Sequence, residues 1–206
     1  MRLSFTLRAL RGARARVRGE RGFSLIEALV VILILGIVVT GLTSTFVSAS
    51  HAELDANRRF RAQEQARLAL DRLRRELHCA SAVTDVNGAA LSTTSTYSAI
   101  KITLGSYCQT TTPTGFVTWC TLGSGPWALY RIDHAVTSCV TGSGSQKVAD
   151  YLIAQLPFSK PAAPTGVGTQ LPRLHVAFSV NANGVGATRS TSTLVDDIAL
   201  RNATRV

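Results

Sequence analysis

The chain has 206 residues, room for one anchored domain of ordinary size rather than two. Its formal charge of +10 points to a polyanionic partner only until the charges are located: residues 1–22 hold seven Arg and Glu20, a contribution of +6, which leaves +4 for residues 23–206. With most of the basic excess in one short stretch, nucleic-acid binding is not the favoured class for the remainder.

Residues 1–22 are rich in Arg, Ala and Gly and are predicted to have no stable structure. Gly22-Phe23-Ser24-Leu25-Ile26-Glu27 then opens an unbroken apolar run from Ala28 to Val39, and no Asp, Glu, Lys or Arg occurs between Ala28 and Ala52. At about 1.5 Å per residue this is enough helix to cross a hydrocarbon core of roughly 30 Å. Seven arginines precede the span, while only Arg58, Arg59 and Arg61 follow it closely. The cytoplasmic bias of Lys and Arg therefore keeps the N-terminus inside and sends the C-terminus out. Glu27 is a lone acid at the mouth of the run, where it must reach the interface or find a partner. It also complements the positive end of the helix dipole.

The hexapeptide Gly22 to Glu27 and the run behind it resemble the class III signal of type IV pilins and pseudopilins. The resemblance implies that a prepilin peptidase cuts between Gly22 and Phe23 and N-methylates the new amine of Phe23. It implies that Glu27 serves assembly with other pilins or pseudopilins. Residues 1–22 become a removable basic leader and residues 23–50 a transmembrane and assembly helix. The protein is then expected first in the cytoplasmic (inner) membrane, single-pass with its N-terminus inside, and afterwards outside the cytoplasm in a pilus or pseudopilus. Ser44 stands where many pilins of the larger subclass carry proline, so only the cluster of Gly36, Thr40, Gly41 and Thr43 to Thr45 weakens this helix. A competing reading is an ordinary secretory signal with Val47-Ser48-Ala49 as cleavage site and a mature start at Ser50. It explains the leader and the run but gives Glu27 no role.

From Ala52 to Leu77 the pattern turns amphipathic. Ala62, Ala66, Leu70, Leu73 and Leu77 recur at steps of three and four with Ala69 beside them, while Arg and Glu cover the other faces. No proline precedes Pro113, so residues 51–78 are predicted to continue the membrane helix. Asp55 with Arg59 and Asp71 with Arg75 have the spacing of i,i+4 pairs. The segment Arg67 to Leu77 resembles the helix of minor pilins and pseudopilins of the W and J types.

After Cys79 the composition shifts to Ser, Thr, Gly and Val, and Glu disappears. Short apolar stretches bounded by turn residues predict strands near Ala99–Leu104, Phe116–Leu122, Trp127–Asp133, Ala149–Leu156, Arg173–Val180 and Leu194–Leu200. Gly142–Ser145 and Lys160–Gln170 read as surface connections. The expected fold is α+β and pilin-like: a long N-terminal helix, half membrane and half amphipathic, packed on an antiparallel sheet, with residues 79–206 as an exported β-rich head. In the Arg173–Val180 strand, Leu174, Val176 and Phe178 share a face predicted to lie beneath Leu70, Leu73 and Leu77.

All four cysteines, Cys79, Cys108, Cys120 and Cys139, fall in the exported part, where an even count reads as two disulfides with three possible connectivities. Cys108 and Cys120 flank a turn-rich stretch, which predicts a hairpin staple between them and leaves Cys79 to Cys139. His51, His78, His134 and His175 are scattered, no Cys-x-x-Cys occurs, and there is neither a phosphate-binding glycine loop nor a nucleophile elbow. No metal, cofactor or catalytic residue is therefore expected, and the enzyme class is rejected. The expected partners are the prepilin peptidase, other pilins or pseudopilins and the membrane. The alternative of another class is an exported binding module, an adhesive or DNA-uptake head. For DNA the net +3 of residues 79–206 is slight.

Overall fold

The computed structural model describes residues 24–105, 108, 112, 114–162, 171–183 and 191–203. It divides into two compact units, Met1–Ser50 and His51–Val206. A single helix, α1 (Leu25–Cys79), contributes to both. Within the first unit every described residue is exposed except Ser50, which is half-buried. The absence of proline lets the helix run on, and the hydroxyls of its polar cluster turn back onto it. Thr40 and Thr43 donate to the carbonyls of Gly36 and Val39, and Ser44 and Thr45 to those of Gly41 and Leu42, at 2.7–2.9 Å. Such bonds satisfy the hydroxyls locally where no water is available.

In the second unit nine strands follow among the described residues: β1 (Ala80–Thr84), β2 (Thr96–Tyr97), β3 (Ala99–Leu104), β4 (Phe116–Leu122), β5 (Trp127–Ile132), β6 (Ser145–Leu152), β7 (Phe158–Ser159), β8 (Arg173–Val180) and β9 (Ser192–Ala199). All pair antiparallel in one sheet of order β1-β3-β4-β5-β6-β8-β7-β2, and β9 adds to the other side of β8. The α+β, pilin-like architecture expected from the pattern is therefore the one observed.

The core lies between the C-terminal half of α1 and the facing side of this sheet. Ala62, Ala66, Ala69, Leu70, Leu73 and Leu77 are buried on the helix, the stripe its periodicity predicts. Opposite them lie Ile100 and Ile102 of β3, Val117 and Trp119 of β4, Leu129 of β5 and Leu174, Val176 and Phe178 of β8. Phe158 of β7 meets Phe178 edge to face, with ring centroids 6.2 Å apart.

Strand β4 is buried on both faces, because the segment after β5 folds over its far side: Thr118 Oγ1 donates to the His134 carbonyl at 2.9 Å, and Cys120 is bonded to Cys139. The second disulfide joins Cys79 at the end of α1 to Cys108. The pairing expected from the turn-rich stretch, Cys108 with Cys120 and Cys79 with Cys139, is thus corrected. The cause is strand alternation. Trp119 points toward the helix, so its neighbour Cys120 points to the opposite face, away from the helix end where Cys108 sits.

Three further expectations shift. The strand predicted at Ala149–Leu156 runs from Ser145 to Leu152, since pairing of Ser145 to Ile132 draws polar residues into the ladder and Leu152, paired with Trp127 and Val180, is its last rung. Asp71 pairs with Arg74 at 3.1 Å, not with Arg75, whereas Asp55 does bind Arg59. Strands β1, β2 and β7 carried no recognisable pattern, two of them being only two residues long. Of the connections, Gly142 to Gly144 is a turn before β6, while residues 163–170 of the other lie outside the described residues. Gly144 is required there: at φ 77° a side chain would collide with the Asp133 carboxylate.

Leu73 is 0 % exposed. Leu73→Ala is expected to lower stability by about 2–5 kcal/mol in chemical denaturation followed by the fluorescence of buried Trp119. Non-reducing peptide mapping should recover Cys79 with Cys108 and Cys120 with Cys139.

Candidate functional site

The residues with an expected processing role, Gly22 and Phe23, lie outside the described residues, and the Phe23 amine with them. The described residues begin at Ser24, whose carbonyl accepts from the Ala28 amide at 3.1 Å and so closes the turn that contains Glu27. Glu27 sits in the first turn of α1, exposed, where its charge complements the positive helix end. Around and beyond it Leu25, Ile26, Leu29, Val30, Ile32, Leu33 and their successors present an apolar surface on every side of the helix. A helix apolar all round is built for lipid or for the interior of a helical bundle, not for water. It is the one described helix long and apolar enough to cross a membrane.

The second unit contains a polar site that sequence reasoning missed. Glu76, in the last turns of α1, is 1 % exposed among apolar neighbours. Trp119 Nε1 donates to its Oε2 and Arg131 Nε to its Oε1, both at 2.6 Å. Trp119 and Arg131 are direct cross-strand partners on β4 and β5, so one rung of the sheet delivers a donor to each carboxylate oxygen. Arg72, one turn earlier, stands 3.8 Å from the same Oε1 and bonds Gln146 at 2.7 Å, and Gln146 is in turn the β6 partner of Arg131. Burial, then the nearby Arg131, lowers the Arg72 pKa from its ordinary value, and Glu76 opposes that shift. The signal in the sequence was a Glu at position i+3 from Leu73, next to Leu77, on the apolar stripe itself.

The histidines do not converge. His78 Nδ1 meets the Ala199 carbonyl at 3.2 Å, His134 sits by Asp133, and His175 by Asp197. The His134 hydrogen bond holds the Asp133 carboxyl below its usual range. Among the described residues no three His, Cys, Asp or Glu side chains gather as a metal would require. The arrangement supplies anchoring and packing groups rather than a converging set of acids, bases and nucleophiles.

Replacing Glu76 by Ala should cost about 3–5 kcal/mol by leaving Arg131 buried without its counter-charge. Replacing Glu76 and Arg131 together by Met should recover most of that loss, so denaturation of the two single variants and the double variant reads the coupling directly.

A family model described as the prokaryotic N-terminal methylation motif matches residues 17–43, which takes in Gly22, Phe23 and Glu27. No curated protein matches the chain, and no solved structure does. The motif points to a structural subunit rather than an enzyme, and with the apolar helix it points to anchoring in a membrane through the N-terminus. The methylation motif, followed by one long helix and an antiparallel sheet stapled by disulfides, supports membership of the type IV pilin and pseudopilin family.

Proposed function

We propose that this chain is a minor pilin or pseudopilin of the W or J type, a structural subunit that helps initiate or cap a type IV pilus or a type II secretion pseudopilus. The observation that carries the reading is the methylation motif over residues 17–43 joined to an apolar helix whose first turn holds a single acid, Glu27. The precursor inserts with residues 1–22 inside, a prepilin peptidase cuts after Gly22, and the amine of Phe23 is methylated. Residues 23–50 then serve as the membrane and assembly helix, and residues 51–206 stand outside the cytoplasm.

In this reading the helix leaves lipid for a filament core that is equally dry, so Glu27 faces a desolvation cost in both places. The cationic amine freed at Phe23, in the same chain or in a neighbour, is the charge that offsets it. A subunit that docks out of step strands the acid, a penalty of about 3–5 kcal/mol for a buried unpaired charge. The apolar helix supplies adhesion without direction, and the ion pair supplies the axial register. The slight net charge of residues 79–206 gives little reason to assign the head to nucleic acid.

Mass spectrometry of the protein from its native cell should find a chain that starts at N-methylated Phe23; an intact residue 1–22 segment, or a start at Ser50, would refute the reading. Glu27→Ala should still be processed and remain in the membrane yet be missing from sheared filaments or pseudopili.

A further inference from the structure

Among the described residues, strand β9 is the long open edge of the sheet. It pairs with β8 over eight consecutive residues, Ser192 to Ala199, with no break in register. The amide of Leu200 donates to the carbonyl of Pro172, and that of Ala177 to Pro157 on the β7 side. In an antiparallel ladder hydrogen-bonded and non-hydrogen-bonded pairs alternate. The residues of β9 that bond β8 are therefore Ser192, Leu194, Asp196 and Ile198. The N–H and C=O groups of Thr193, Val195, Asp197 and Ala199 point outward. The Ala199 carbonyl meets His78 Nδ1 on α1, which closes that end of the edge. The other three residues present six outward backbone groups with no partner among the described residues.

Edges left open in monomeric proteins are usually blunted by short strands, bulges, proline or lysine. The other free edges here follow that rule: β2 has two residues, and β1 has five with a register shift between Ala80 and Ala82. Strand β9 is neither short nor bulged, its sequence Ser-Thr-Leu-Val-Asp-Asp-Ile-Ala contains no proline, lysine or arginine, and its charges are the two carboxylates of Asp196 and Asp197. Asp196 is drawn inward by Arg74 at 2.8 Å, whereas Asp197 meets His175 at 2.6 Å with its side chain 51 % exposed and open to a further cation. Val195, in the middle of the open stretch, is 58 % exposed.

We propose that the outer edge of β9, from Thr193 to Asp197, accepts an extended strand from another membrane-anchored subunit, with a basic side chain of that strand beside Asp197. Backbone pairing supplies the affinity, as in strand addition generally, and the acidic end sets the direction. A second copy of this chain fits less well. The antiparallel register that uses all six groups sets Val195 against its counterpart and Asp197 against Thr193, and a strand with no lysine or arginine has no cation to set beside Asp197. A strand of different sequence with Lys or Arg opposite Asp197 meets attraction instead. That the partner is another subunit rests on the pilin reading; that the partner is an extended backbone rests on the edge alone.

Hydrogen exchange of the full-length chain tests the edge. The amides of Thr193, Val195 and Asp197 should exchange at least about tenfold more slowly in native membranes than in the purified chain in detergent, while those of Leu194, Asp196 and Ile198 stay slow in both. Val195→Pro removes one outward N–H without touching the β8 ladder, and it should return Thr193 and Asp197 to the rates of the purified chain. Equal rates for the unaltered chain in both settings would overturn the proposal. Benzoylphenylalanine at position 195, photolysed in native membranes, should mark an extended segment of another pilin-like subunit; an adduct to a second copy of this chain, or to lipid alone, overturns it. The intact mass from the same sample reports cleavage after Gly22, so loss of the pilin reading registers as a separate result.

Discussion

Glu76 is the point at which helix and sheet become one object. Hydrophobic burial presses the Ala62 to Leu77 stripe onto the sheet, but burial is nearly indifferent to sliding, because a stripe of Ala and Leu that moves by a turn meets similar surface. The carboxylate is not indifferent. With Trp119 and Arg131 each giving one hydrogen bond to a different oxygen, displacement by a turn would leave a buried anion and a buried cation apart. The ion pair is thus weak as a source of net stability and strong as a selector of register. Its donors come from a single rung of the sheet, so it also fixes β4 against β5.

The two disulfides act on the two ends of that arrangement. Cys79 to Cys108 holds the last residue of α1 to the loop after β3, on the helix side of the sheet. Cys120 to Cys139 holds the segment after β5 across the far side of β4. Each closes a loop with fewer than thirty residues between its cysteines, at sequence separations of 29 and 19. Constraints of that size restrict the unfolded chain by about 3–4 kcal/mol each in the chain-entropy view. Covering β4 on both faces makes it the most enclosed strand, which suits the strand that carries Trp119.

The apolar half of α1 follows a different logic. Its side chains find no partner within the described residues, so its fold does not come from burial within this chain. What keeps it helical is backbone satisfaction: in lipid or a dry helical bundle each N–H and C=O must be met within the segment, and the hydroxyls of Thr40, Thr43, Ser44 and Thr45 are met there as well. Glu27 is the only Asp, Glu, Lys or Arg among residues 24–50. An unmet charge in an otherwise apolar segment is a demand for something outside it, an interface or a partner.

The residues by themselves determined the parts that depend on local periodicity and composition. The charge-free run after Glu27, the three-and-four spacing of Ala62 to Leu77, and the alternation of Leu174, Val176 and Phe178 each report a face, and faces are set by the geometry of one element. The pilin-like resemblance was legible for the same reason, since the signal is contiguous from Gly22 to Glu27. Tertiary structure alone decided what depends on two distant elements meeting. The cysteine partners follow from which face of β4 holds Cys120, and the position of β6 follows from its pairing with β5 rather than from its own polar sequence. Glu76 looked like one more charge on a solvated helix, because its two donors lie 43 and 55 residues further on and become neighbours only when β4 and β5 pair beneath the helix.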